Sequence, residues 1–173
     1  GSTFKPLVMA AAINEGLVKP ETRCTICSGP VSIGGYDIET WNNKYEPNLS
    51  MTKVIQESDN TGMVFVSQKL GLDRMIKYIN KFGFGQATNI DLQGEVTPNI
   101  RPRNDWYPID LATSSFGQGI SVTPIELLTA IGSLANGGKR MEPHVVESIE
   151  TPDGKKITIP PKVVNQPVSE ETA

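Results

Sequence analysis

A serine hydroxyl becomes a useful nucleophile only when a neighbouring base takes its proton. Ser2-Thr3-Phe4-Lys5 offers that pairing. On a helix, residues three apart share a face, so an amine at Lys5 can reach the hydroxyl of Ser2. Placement at a helix N-terminus disfavours the lysine cation and so favours a neutral base. Pro6 supports that placement, because it has no N–H to donate to the Ser2 carbonyl and suits a first turn. The same positive helix end would stabilise an oxyanion forming beside Ser2. The spacing alone is not distinctive, since Ser50-Met51-Thr52-Lys53 repeats it. There the expected arrangement is a serine helix cap with a solvated lysine.

A second cluster changes the weight of the first. Ser58-Asp59-Asn60 can present a hydroxyl and an amide to one cleft, the hydroxyl to pass a proton and the amide to hold a peptide group. The alternative is an ordinary interhelical turn, where these three residue types are favoured. Asp59 is left out of the site, because its side chain must point away if Ser58 and Asn60 share the cleft.

The elements that must position these residues follow from periodicity. Phe4, Leu7, Val8 and Ala11 predict a helix over 4–15 that stops at Gly16. A short helix is expected over 50–57, a second from Thr61 to Leu70, and a third over 72–82 with Leu72, Met75, Ile76 and Ile79 on one face. Thr123-Pro124 opens another, with Ile125, Leu128, Ile131 and Leu134 along one side and Gly137-Gly138 past its end. Residues 22–48 read as loops with short strands around Ser32–Tyr36, and residues 85–122 show no strong period. A hairpin is expected around Asp153-Gly154, flanked by Val145, Val146, Ile149, Ile157 and Ile159. Residues 168–173 read as the cap and first turn of a further helix.

Composition narrows the function. Of 173 residues, 38% are hydrophobic and 20% charged, enough for a packed core. A net charge of −3 argues against nucleic acid or an anionic membrane as the main partner. One histidine excludes a multi-histidine metal centre, and the two cysteines, Cys24 and Cys27, cannot complete a four-thiolate zinc site. No apolar run approaches the roughly 20 residues of a spanning helix.

S-x-x-K followed by S-D-N gives two of the three motifs that penicillin-binding proteins and class A β-lactamases combine with K-T-G. The stretch Gly1–Pro6 resembles the active-serine segment of class B penicillin-binding proteins, the monofunctional peptidoglycan transpeptidases. Further pieces match in order along nearly the whole chain: Ile33-Gly34-Gly35-Tyr36 with Trp41-Asn42, then Phe82–Gly85, Ile90-Asp91-Leu92 and Gly94-Glu95. Phe116-Gly117-Gln118-Gly119, Val122-Thr123-Pro124 and Ala135–Gly138 complete the series.

The resemblance implies an α+β fold of the penicillin-binding protein/β-lactamase type. Residues 1–173 are expected to hold mainly the helical portion of the transpeptidase domain, truncated at both ends, with a small C-terminal hairpin. It implies Ser2, Lys5, Ser58 and Asn60 as catalytic residues, Ser58 and Asn60 also binding substrate, with no cofactor and no metal. It further implies stem peptides ending in D-Ala-D-Ala as substrates, β-lactams as inhibitors, and a glycan polymerase of the division or elongation machinery as partner. The enzyme would work on the outer face of the bacterial cytoplasmic membrane, held by an anchor outside these residues. Such a location permits disulfides, so Cys24 and Cys27 are expected either to pair or to remain two buried thiols. No K-T-G or K-S-G triplet occurs, so these residues by themselves are expected to be inactive.

Three other readings remain on the sequence. A class A β-lactamase finds a Glu and an Asn in Glu95-Val96-Thr97-Pro98-Asn99, although the order departs from that family's pattern. A β-lactam sensor domain would use the same serine and lysine. A redox or metal module would use Cys24-Thr25-Ile26-Cys27, which lacks a strand-to-helix context. His144, Gln118 and Glu95 are read as structural or loop-shaping; for Tyr36 and Trp41 two places are open, the border of a substrate groove and, more usual for aromatics after a hairpin, the core.

Overall fold

The computed structural model describes residues 1–173. A 3₁₀ turn, Ser2–Phe4, runs directly into α1, Lys5–Asn14, with Pro6 in its first turn. Leu7, Val8, Met9, Ala10, Ala11 and Ala12 are all buried. A helix that is apolar on every side belongs in the middle of a core, and α1 lies there. Five helices follow: α2 (Met51–Gln56), α3 (Asn60–Leu70), α4 (Leu72–Lys81), α5 (Pro108–Ser114) and α6 (Pro124–Ala135); α3, α4 and α6 pack on α1, while α2 and α5 pack on α3. Each buried Leu, Val, Met or Phe side chain contributes roughly 1.5–3 kcal/mol, and α1 with α3 supplies eight of them: Leu7, Val8, Met9, Met63, Val64, Phe65, Val66 and Leu70.

The β component is three separate antiparallel pairs. In the first, β1 (Val31–Ile33) pairs β2 (Tyr36–Ile38) across Gly34-Gly35, both at positive φ as a two-residue hairpin turn requires. Next, β3 (Arg140–Met141) pairs β6 (Val163–Asn165), and between them β4 (Ser148–Glu150) pairs β5 (Lys156–Thr158) around the expected Asp153-Gly154 turn.

Three expectations need correction. The buried line of α6 is Glu126, Ala130 and Ser133, while Leu128 on the predicted face is 67% exposed. The cause is a capping box: Glu126 accepts from the Thr123 amide at 2.7 Å and the Gly85 amide at 2.8 Å, which draws a carboxylate inward. Within 85–122, α5 forms despite the weak period, because Pro108 sits in its first turn and Asp110 accepts from the Tyr107 amide at 2.8 Å. Of the two places open to Tyr36 and Trp41, the more usual one, the core, is not the one taken, since they are 65% and 72% exposed.

The far end of α1 is fastened as well. Glu15 accepts from Lys77 at 2.9 Å and from the Tyr78 hydroxyl at 2.8 Å, while Asn14 accepts from the Ser169 amide at 2.8 Å. Those bonds hold the Glu15 carboxyl below its usual range, and burial followed by the Glu15 bond pushes the Tyr78 phenol up to about 12. Ser169 accepts from the Thr172 amide at 3.2 Å, the capped first turn expected there.

Candidate active site

The α2–α3 junction is where backbone geometry builds the site. At the end of α2, the Ser58 amide donates to Ile55 and the Asp59 amide to Val54, at 3.2 and 2.9 Å. This is a Schellman ending, whose reversal residue is usually glycine. Here it is Ser58, at φ 53°, a conformation that costs a non-glycine residue about 1–2 kcal/mol. Asp59 then caps α3, accepting from the Gly62 amide and the Thr61 hydroxyl, both at 2.7 Å. Its side chain is occupied there, as expected of a residue outside the site. The close approach of α2 and α3 needs Gly62, since a Cβ at that position would fall 2.3 Å from Val54 Cγ2.

The reversal aims both the carbonyl and the hydroxyl of Ser58 at Lys5. Lys5 Nζ donates to Ser58 O at 2.7 Å, Ser58 Oγ at 3.0 Å and Asn60 Oδ1 at 2.8 Å. Lys5 is only 2% exposed. Burial holds its ammonium down to about 8, with the Asp59 charge acting in the opposite direction. An ammonium has three donors, and all three are used. A neutral amine fits as well, because the Ser58 hydroxyl can then donate to the lone pair while the two remaining N–H groups keep Ser58 O and Asn60 Oδ1. Asn60 is braced from the other side, its Nδ2 donating to Glu39 O at 2.9 Å.

Ser2 lines a cleft of about 460 Å³ together with Ser58, Asn60, Trp41, Glu57, Phe116 and Gln118. Its hydroxyl makes no hydrogen bond within the protein, so Ser2 shares the cleft with the Lys5 cluster without a bond to Lys5. Catalytic hydrogen bonds often tighten only when substrate is bound. The Ser2 amide opens the helix, among the donors a helix start leaves unpaired. Gly117 fixes the approach to this point, with φ 78° and its carbonyl accepting from the Gly1 nitrogen at 2.9 Å. A Cβ on Gly117 would fall 2.2 Å from Gly1 O.

Of two further cleft residues, Gln118 is read on the sequence as loop-shaping and Trp41 as either groove border or core. Trp41 stands at the cleft wall with its indole N–H on Glu57 O at 3.0 Å, and Gln118 extends from the Gly117–Gly119 loop. The glycines on both sides of Gln118 were the available signal, since they mark a backbone that passes close to something. Glu95 lies outside the cleft and shapes its loop, accepting from the Thr88 amide at 2.7 Å and hydroxyl at 2.6 Å. His144 is exposed, its Nδ1 on Val146 O at 2.9 Å. A disulfide joins the buried Cys24 and Cys27, Cα atoms 5.8 Å apart. No group of three or more His, Cys, Asp or Glu side chains is arranged to hold a metal ion.

The chain matches the family described as penicillin binding protein transpeptidase domain over residues 1–173. It is 37% identical to stage V sporulation protein D of Bacillus subtilis, covering 100% of this chain and 27% of that protein. It is 31% identical to the peptidoglycan D,D-transpeptidase FtsI of Escherichia coli, covering 80% of this chain and 23% of that one. A crystal structure of penicillin binding protein 3 from Mycobacterium tuberculosis, complexed with aztreonam, superposes with a TM-score of 0.91 at 29% identity, covering 99% of this chain and 38% of that chain. The chain thus spans about a quarter of the length of the curated relatives it matches. By full-length family match and by fold, the chain belongs to the penicillin-binding protein transpeptidase domain family.

Proposed function

We propose that the protein containing this chain is a peptidoglycan D,D-transpeptidase that cross-links stem peptides through an acyl-serine intermediate and is acylated by β-lactams. The observation that carries the proposal is the Lys5 cluster: a buried amine held by Ser58 and Asn60, which line the cleft that contains Ser2. The relatives' names, among them a peptidoglycan D,D-transpeptidase, support the same reaction.

Ser2 Oγ attacks the carbonyl of the penultimate D-Ala, and its proton passes to neutral Lys5. The oxyanion receives a hydrogen bond from the Ser2 amide. Collapse breaks the bond to the terminal D-Ala, whose nitrogen takes the proton through Ser58. Asn60 holds the donor peptide's amide. The amine of a second stem peptide then attacks the ester, its proton returns through Lys5 to Ser2, and no cofactor enters the balance. Glu95 is tied to Thr88 and Asn89 outside the cleft, which disfavours the β-lactamase reading that needs it beside the acyl-enzyme. No helix here is long and apolar enough to cross a membrane. The proposed location is the outer face of the cytoplasmic membrane, anchored through another part of the protein, beside a glycan polymerase of the division or elongation machinery. That location suits the Cys24–Cys27 disulfide.

The test is covalent. The full-length protein is incubated with a fluorescent penicillin, digested, and the labelled peptide identified by mass spectrometry. The expected label is on Ser2 and vanishes in Ser2→Ala; label on Ser50, or on no serine, sinks the assignment.

A further inference from the structure

The cleft that holds Ser2 adjoins a smaller groove of about 290 Å³, lined by Tyr36, Ile38, Ile109 and Thr113 among others. Only Asn60, Phe116 and Gln118 line both spaces. Any chain that runs from the serine into the groove therefore passes over Phe116 and between two primary amides.

The two amides are not in the same state. Asn60 is partly committed, its Oδ1 to Lys5 and one Nδ2 hydrogen to Glu39 O. The Gln118 side chain is exposed and makes no hydrogen bond within the protein. Its loop is shaped without it: the Gln118 amide donates to Thr113 O at 3.0 Å, Gly117 and Gly119 take φ of 78° and 74°, and Gly117 is clasped to Gly1. The side chain's donor and acceptor are thus both free, on a backbone fastened to the residue before Ser2. A peptide group needs one acceptor and one donor when it leaves water. Asn60 offers a substrate its remaining N–H, and Gln118 offers both groups.

We propose that Gln118 is a substrate-binding residue, and that with Asn60 it forms a two-amide gate gripping the acyl-donor peptide where it leaves the serine for the groove. The ligand class is an acyl donor with at least one peptide group beyond the attacked carbonyl, its side chains resting on Phe116, Ile109 and Tyr36. A donor too short to enter the groove misses the gate. The inference depends on the acyl-transfer reading of the cleft given above.

The test uses the full-length protein and two thioester donors with the same reacting residue. One carries two further residues on its amino side, and the other only an acetyl group. Acylation rate constants are measured for both donors in the wild type, Gln118→Ala, Gln118→Met and Gln118→Glu. Loss of two neutral hydrogen bonds lowers the long-to-short rate ratio about tenfold in the Ala and Met variants, and less in Gln118→Glu, which keeps an acceptor. An unchanged ratio overturns the gate. So does equal slowing of both donors, the signature of a disturbed loop. A wild type that neither donor acylates at Ser2 instead brings down the acyl-transfer reading, and the gate with it.

Discussion

Two segments of this chain carry Ser-x-x-Lys, and the fold uses them in opposite ways. At Ser2–Lys5 the serine caps nothing and the lysine is buried, giving its three N–H groups to Ser58 and Asn60. At Ser50–Lys53 the serine caps α2, accepting from the Lys53 amide at 3.3 Å, and the lysine reaches Glu57 at 3.7 Å with both side chains more than half exposed. The spacing is the same, and so is the start of a helix. What differs is the surroundings of the ammonium. With its ammonium held down to about 8, Lys5 is neutral in roughly one molecule in ten at pH 7, against about one in several thousand for an ordinary lysine. The motif gives reach; burial by neighbouring elements gives reactivity.

The largest expected effect breaks the symmetry directly. Lys5→Ala in the full-length protein slows acylation of Ser2 by about 10²–10⁴-fold, the usual contribution of a positioned base. Lys53→Ala changes the rate by less than about twofold. Stopped-flow acylation with a chromogenic penicillin measures both, and similar losses in the two variants would show that spacing alone matters.

The pH dependence separates the two lysines next. If neutral Lys5 is the base, the acylation rate rises as pH passes through about 8. Stability has a matching sign. The folded protein releases the Lys5 proton at lower pH than the unfolded chain, so between about 8 and the ordinary lysine range the unfolded state binds more protons and stability rises with pH. Below 8 the cost of burying the ammonium is fully present. Urea midpoints at pH 7 and pH 10 should therefore rise more in the wild type than in Lys5→Met, and identical slopes would contradict the assignment.

The sequence made the helices around the site legible because their apolar spacing is strong. The expected ranges for α1, α2, α3 and α4 each agree with the structure to within a residue or two. Ser2, Lys5, Ser58 and Asn60 could be proposed only because S-x-x-K and S-D-N occur together and in order within a wider family resemblance, since the first spacing recurs at Ser50–Lys53 and the second triplet suits any turn. Less legible was whatever depends on a tertiary partner. Glu126 reads as a surface charge until the Gly85 amide is brought to it, and Trp41 reads as core or groove border until its indole is seen on Glu57 O. For Gln118 the one signal was its two flanking glycines, and the clasp between Gly117 and Gly1 that puts it at the cleft is tertiary. The pairing of β3 with β6 spans more than 20 residues, with another hairpin between them, beyond the reach of local pattern.

A smaller effect reverses the comparison. Ser50→Ala removes a helix cap and costs about 1 kcal/mol of stability, with acylation unchanged. Ser2→Ala removes a hydroxyl that bonds to nothing, so its cost is within about 0.5 kcal/mol although it abolishes acylation. Paired denaturation and labelling of the two variants gives opposite outcomes on the two readouts. A large stability loss in Ser2→Ala would mean that its hydroxyl is structural after all.

The smallest effect concerns the ion pair that the second motif does make. Lys53 precedes Glu57 by four residues, the less favourable orientation for a helical pair, and both groups stand in solvent. Lys53→Gln is expected to cost less than about 0.5 kcal/mol, and that difference should shrink further in 1 M salt, where screening leaves little of an exposed pair. The Trp41 indole should be unaffected, because it binds the Glu57 carbonyl and not the carboxylate. Urea denaturation at low and high salt, read by tryptophan fluorescence with Trp106 replaced by Phe, tests both statements at once. A loss above about 1 kcal/mol that persists in salt would place Lys53 in a buried network, and the contrast between an exposed and a buried lysine would then no longer account for the difference between the two motifs.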